Sequence, residues 1–206
     1  MQINATVLNA ALQRVANHAR SKRDELCAAD AQLGDGDLGI TVSEGFDACA
    51  KLDLPEDVGK AFYEMAKTFQ SVSSSSFGTL VATGMMAAAK ELKGRSAFDS
   101  TEISNLLGKA RDAMLTRGKS SLGGKTVLDG LDAQVKALAD NAEGLLGQAV
   151  EAARMTVETY RVKKNEVGRA RIFGEKSVGL PDPGQLALVV MTEGLRNSNN
   201  PGCSAT

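Results

Sequence analysis

Three aspartates, Asp30, Asp35 and Asp37, crowd the stretch DAQLGDGDLGIT, interleaved with Gly34, Gly36 and Gly39. Carboxylates held within about 4–6 Å of one another resist joint ionisation, and a divalent cation between them removes the conflict. An oxygen-only set without His or Cys suits Mg²⁺, Mn²⁺ or Ca²⁺ and not zinc. A calcium-binding loop counted from Asp35 fails twice, because Gly39 falls at the third ligand position and Phe46 where a bidentate Glu is required. Magnesium is commonly held by a few carboxylates together with phosphates, so the cluster points to a phosphorylated ligand. The glycines fit, since a backbone without Cβ lets phosphate oxygens reach amide N–H groups. A helix beginning around Leu38 to Thr41 would aim its N-terminal amides at the same anion. From the residues alone a second reading stands beside this one: a solvated connection in which an Asp caps the next helix and Gly-Asp-Gly turns.

Other segments carry weaker signals. Ser73 to Ser76, followed by Phe77-Gly78, offer hydroxyls and amides ahead of TLVATGMMAAAK, and an ordinary N-cap reads as well there. GKSSLGGKT is no Walker A motif: five residues instead of four separate Gly118 from Gly124, and the preceding ARDAMLTR reads as helix. Lys119, Lys125 and Thr126 remain candidates for a phosphate by another geometry. In GRARIFGEKS, Arg169 and Arg171 could fork onto phosphate oxygens, while Arg171 and Lys176 also read as part of an exposed basic loop. His18, the single histidine, lies on an amphipathic helix without an acid–base partner nearby in sequence, so no Ser-His-Asp or Cys-His set can be assembled.

These residues must be positioned by helices. Apolar side chains recur at helical spacing in Leu8, Leu12, Val15; in Val58, Phe62, Met65, Phe69; in Leu107, Ala110, Met114; in Val127, Leu131, Val135, Leu138; and in Leu146, Val150, Ala153, Val157. Strand-type alternation is hard to find, and the pattern predicts an all-α fold of seven or eight helices. Asp99 or Ser100 ahead of Glu102, and Thr126 ahead of Val127, read as helix starts; Gly94 and Gly118 read as stops. The non-periodic stretch from Gly168 to Gly184 is longer than a helix connection needs, and long glycine- and charge-rich loops are where sites tend to lie.

At 206 residues, without a composition break or internal repeat, the chain reads as one domain over residues 1–196 followed by a flexible tail, 197–206. Tryptophan is absent and aromatics are 4%, so the core must be aliphatic, and a net charge of −1 with scattered basic residues gives no nucleic-acid footprint. No signal peptide is evident and the most apolar run, Leu80 to Ala89, is too short to span a bilayer, so a cytoplasmic protein without membrane contact is expected. Cys27, Cys49 and Cys203 are odd in number and lack ligand spacing, which argues against disulfides and zinc.

Taken together, the loops resemble one family: the nucleotide-binding L subunit of dihydroxyacetone kinases, which also occurs as the C-terminal domain of single-chain kinases for dihydroxyacetone and related ketoses. The match runs from about residue 6 to 196, on Asp30 with GDGD at Gly34 to Asp37, RGK at Arg117 to Lys119, KT at Lys125-Thr126, GRA at Gly168 to Ala170, GE at Gly174-Glu175 and DPG at Asp182 to Gly184. The resemblance implies an antiparallel barrel of about eight α-helices whose loops at one end bind ADP or ATP through two Mg²⁺ ions. Asp30, Asp35 and Asp37 would ligate the metals; Leu38, Gly39, Ile40, Thr41, Ser76, Phe77, Gly118, Val127, Arg169 and Asp182 fall where the family contacts nucleotide. No catalytic residue is assigned, since the chain would act as a phosphotransferase subunit whose ketose is held on a K-type partner, through a histidine supplied there. The phosphoryl donor is either exchangeable ATP or a retained ADP rephosphorylated by a phosphocarrier protein, and a homodimer is a further expected assembly. Two departures stand out. Leu38 occupies the family's histidine position, and Ser74 to Gly78 replaces a Gly-Gly-x-Ser-Gly loop. They motivate a rival expectation, a non-catalytic nucleotide-sensing protein on the same barrel; a helical protein binding an apolar ligand inside the barrel is a third.

Overall fold

The computed structural model describes residues 1–139 and 144–196. Nine α-helices carry the described chain: α1 Ala5–Ser21, α2 Arg23–Leu33, α3 Leu38–Cys49, α4 Val58–Val72, α5 Ser76–Glu91, α6 Ile103–Gly118, α7 Val127–Ala137, α8 Leu145–Arg161 and α9 Pro183–Gly194. Eight of them, all but α2, pack neighbour to neighbour in the order α1, α3, α4, α5, α6, α7, α8, α9, and α9 returns to α1 to close the ring. The C-termini of α2, α4, α6 and α8 and the N-termini of α3, α5, α7 and α9 gather at one mouth, so successive members of the ring are antiparallel. The barrel expected from the sequence is therefore what the chain builds. α2 continues the line of α1 between α3 and α9 after a break at Lys22, whose amide still donates to the carbonyls of His18 and Ala19 and whose carbonyl accepts the Leu26 amide.

Each helix follows from a local rule. α4 places Val58, Ala61, Met65, Ala66 and Phe69 on one buried stripe at three- and four-residue spacing. Its start is fixed by Asp57, whose side chain accepts the Lys60 amide. Phe69, fully buried, meets the edge of Phe46 from α3 at 5.3 Å between ring centroids. Both helix starts expected at Asp99 and Thr126 are present, each as a reciprocal capping box, Asp99 with Glu102 and Thr126 with Asp129. The expected stop at Gly118 shifts by one: Gly118 is the last residue of α6, and the left-handed cap falls on Lys119.

Two short strands escape the sequence pattern, β1 Gln2–Asn4 and β2 Ala97–Asp99, paired antiparallel at the end opposite the mouth. Three residues are too few for period-two alternation to register. Cys27 and Cys49 are free thiols, while Cys203 and the tail expected over 197–206 lie outside the described residues. Among the described residues no helix is long and apolar enough to cross a membrane.

Candidate functional site

The four loops at the mouth enclose a cleft of about 810 Å³. One wall is the turn from α2 to α3. Asp30, in the last turns of α2, accepts the amides of Gly36 and Asp37 on Oδ2, at 2.9 and 3.1 Å, and so folds the turn back on the helix that precedes it. Gly36 has φ +79°, a conformation L-residues rarely take, and Gly34 leaves no room for a Cβ, which would stand 2.5 Å from Asp30 Oδ1. These constraints bring the three carboxylates together: one oxygen from each of Asp30, Asp35 and Asp37 lies within 4.8 Å of the others.

The electrostatics of this wall match a cation site. Burial opposes charge on Asp35, but a hydrogen bond from Arg169, a backbone amide and the Arg169 charge outweigh it and hold its carboxyl below the usual range. Asp37 moves the other way, because burial and the charges of Asp35 and Asp30 push its carboxyl up. An oxygen-only donor set with repulsion at Asp37 that Arg169 offsets only in part fits a hard divalent cation. Arg169 reaches across the cleft, its Nη1 donating to Asp35 Oδ2, and both side chains remain about half exposed.

The second side is the serine turn. Ser75 caps α5, its Oγ accepting the Gly78 amide at 3.0 Å and the Thr41 hydroxyl at 3.2 Å. Ser74 to Phe77 line the cleft, with Phe77 also packed against the apolar core behind. The third side joins residues 117–128 and 167–172 with Asp182 to Gly184. Asp182 caps α9 ahead of Pro183, accepting the Gln185 amide at 2.9 Å and the Asn165 side chain at 2.8 Å. Burial raises its carboxyl to about 6.

Of the residues singled out from the sequence, Asp30, Asp35, Asp37, Leu38, Ser76, Phe77, Gly118, Val127, Arg169 and Asp182 all border the cleft. Gly39, Ile40 and Thr41 do not, because each step along a helix turns the side chain by about 100°. Gly39 faces α2, where a Cβ would meet the Arg23 carbonyl at 2.0 Å; Ile40 is partly exposed; Thr41 sits behind Ser75. The amides of Leu38, Gly39 and Ile40 are nonetheless those of the first turn, which no helical carbonyl can accept. Lys119, Thr126 and Arg171 reach the cleft wall. Lys125 does not: it is fully buried and its ammonium turns into the protein, which removes it from the phosphate candidates. His18 is also remote, its Nε2 3.3 Å from Glu193 Oε2 on the barrel's outside. Sequence reasoning overlooked Asp129, whose carboxylate takes the amides of Gly123 and Thr126 and fixes the loop before α7; the Thr-x-x-Asp spacing was the available signal.

Fold and site define an all-helical barrel with an acidic, oxygen-only cluster in one mouth. The chain belongs to the DAK2 domain family, whose model matches residues 32–197. It is similar, at 26% identity over 94% of its length and 96% of the relative's, to the ADP-binding subunit DhaL of the PEP-dependent dihydroxyacetone kinase of Escherichia coli (strain K12). It is also similar to the ADP-binding subunit DhaL of PEP-dependent dihydroxyacetone kinase 1 of Listeria innocua, at 30% identity over 75% of this chain and 77% of that one. In three dimensions it superposes on the dihydroxyacetone kinase of C. freundii with a TM-score of 0.76 and 23% identity, over 94% of this chain. The chain spans about a third of the length of that kinase, 34%. The same kinase has been solved in complex with AMP-PNP and Mg²⁺, with a TM-score of 0.75 to this chain.

Proposed function

We propose that the chain is a Mg²⁺-dependent, nucleotide-binding phosphotransferase subunit that delivers a phosphoryl group to dihydroxyacetone or a related small ketose held on a separate K-type partner. The observation that carries this reading is the convergence of three carboxylates within 4.8 Å at the mouth of a cleft of about 810 Å³. Two Mg²⁺ ions held by Asp30, Asp35 and Asp37 would supply the positive charge that lets these carboxylates and the phosphates of ADP or ATP share one site. The chain's own groups do the rest. The first-turn amides of α3 and α5 and the guanidinium of Arg169 offer donors to phosphate oxygens, while Phe77, Val127 and the Gly118 backbone shape the remaining wall.

Phosphoryl transfer asks chiefly for alignment and charge neutralisation, so a cleft of carboxylates, amides and cationic side chains such as Arg169 suffices without a nucleophile. The ketose then belongs on the partner, and its specificity with it. The names of the E. coli and Listeria relatives support retained ADP, rephosphorylated by a phosphocarrier protein, as the working form. A cytoplasmic location fits this role.

Calorimetry with Mg-ADP tests the reading: saturable heat is expected, and heat no larger than dilution overturns it. With a K-type partner added, sugar phosphate formed only in the presence of a phosphocarrier supports retained ADP, whereas formation from ATP alone replaces it with exchange. Leu38 favours a second reading, nucleotide sensing without turnover, because an apolar, nearly buried side chain stands on the cleft wall beside Asp37. Turnover appearing only in Leu38→His would support sensing; turnover by the natural chain removes it.

A further inference from the structure

Lys125 is the one lysine with no exposed surface among the described residues. Its Nζ donates to the carbonyls of Lys163, Ser177 and Leu180, each at 2.8 Å, with the Arg161 carbonyl at 3.5 Å. An ammonium has three protons and no lone pair, so three carbonyls at 2.8 Å satisfy it in full. These carbonyls come from both ends of the segment that runs from α8 to α9, and the middle of that segment, a 3₁₀ stretch over Arg169–Ser177, carries Arg169.

Other contacts tie the same two loops together. Lys125 adopts φ +60°, a left-handed conformation unusual for a residue with a side chain and held only where its surroundings over-determine it. Gly124 accepts the Glu166 amide at 3.1 Å, and a Cβ there would stand 2.6 Å from Val167. Asn165 donates its side-chain amide to both the Lys125 carbonyl and Asp182, and its backbone amide to Ser177 Oγ at 2.9 Å. Thus the arginine that crosses to Asp35 stands on a loop anchored at both ends by one buried cation.

We infer that Lys125 is a positioning residue: its ammonium, caged by carbonyls from both ends of the 162–182 loop, fixes that loop and thereby sets where Arg169 meets the phosphates. This rests on the nucleotide reading above. Lys125 belongs neither to the cleft lining nor to the aspartate cluster, so it acts through Arg169.

Two measurements on the full chain test it. Trypsin should cut native Lys125→Met after Arg169 and Arg171 at least about tenfold faster than wild type, because cleavage follows the population of the open loop. Calorimetry with Mg-ADP should show Lys125→Met weakened by about tenfold to a hundredfold, and little further weakened when Arg169→Ala is already present. Equal trypsin rates, or losses that add in the double variant, overturn the inference. Should Lys125→Met not fold, Lys125→Gln takes its place in both measurements, since it removes the ammonium while its amide keeps two donors for the carbonyls of the cage. Wild-type chain that takes up no Mg-ADP overturns the nucleotide reading instead, and the trypsin comparison still decides whether Lys125 anchors the loop.

Discussion

The two charged walls of the cleft treat charge in opposite ways. On the α2–α3 side, three carboxylates lie close together and Asp35 stays half exposed, paired with a cationic side chain that reaches over from the far wall. On the side built from residues 119–126 and 162–182, the central charge, Lys125, is wholly buried and its hydrogen-bonding capacity is spent on backbone carbonyls. A charge left accessible among like charges is a liability to the fold and is explained by something it binds. Burying a charge with every donor met instead organises the chain around it, and stripping the charge away leaves its partners unsatisfied. Substitutions on the two walls should therefore fail differently.

The largest effect is expected at the acidic wall. Asp35→Ala or Asp37→Ala should abolish measurable Mg-ADP binding in calorimetry while leaving helical circular dichroism intact. Asp37→Asn in particular should unfold no more easily than wild type in denaturant, because it removes a carboxylate that burial and the charges of Asp35 and Asp30 already disfavour as an anion. Loss of the fold in either alanine variant would recast these residues as structural and erase the contrast between the walls.

At the opposite wall the expected order reverses, with stability lost first. Lys125→Met leaves the carbonyls of Lys163, Ser177 and Leu180 without their donor, and unpaired buried polar groups cost about 1–3 kcal/mol each. Partial relaxation of the loop toward water reduces the sum, so chemical denaturation should show a loss of about 2–4 kcal/mol. An unchanged midpoint would mean that the cage opens to solvent at no cost.

Asp182 supplies a pH test of the same buried cluster. Its carboxyl sits near 6 in the folded protein against an ordinary 3.8, because burial disfavours its ionised form. The folded state thus holds this proton more tightly than the unfolded chain, and its contribution to stability is full below about pH 4 and declines as pH rises toward 6. Between those limits wild type should lose up to about 1.4 kcal/mol per pH unit relative to Asp182→Asn. Parallel stability profiles would show that the Asn165 and Gln185 contacts stabilise the carboxylate fully.

How far the sequence reveals each wall follows from how each is made. Asp30, Asp35, Asp37 and their glycines are contiguous in the chain, so residue type and spacing carry the acidic wall almost complete, and helical periodicity carries the ring that holds it. Lys125 draws its partners from 36 to 55 positions away, and they are carbonyls, which every residue possesses and no residue type advertises. A lysine between Gly124 and Thr126 reads naturally as a phosphate ligand; only the fold shows its ammonium turned inward. Leu38 to Thr41 is an intermediate case: the helix start was legible, yet helical rotation leaves only Leu38 on the cleft wall. The β1–β2 pairing was illegible for a simpler reason, its length.

The smallest expected effect calibrates the rest. Asn4 caps α1 at the end opposite the cleft, its side chain accepting the Val7 amide at 3.1 Å, and Asn4→Ala should cost about 1 kcal/mol of stability. Since this cap touches neither wall, Mg-ADP affinity measured by calorimetry should stay within about twofold of wild type, as distant sites add independently. The comparison matters because Lys125→Met also destabilises, and without it a weaker ligand grip in that variant has a rival explanation, general loosening of the barrel. If Asn4→Ala weakens binding in proportion to its stability cost, that explanation is correct and the separate roles given to the two walls fall. If it leaves binding untouched, the loss seen on removing the buried ammonium is local to the loop that carries Arg169.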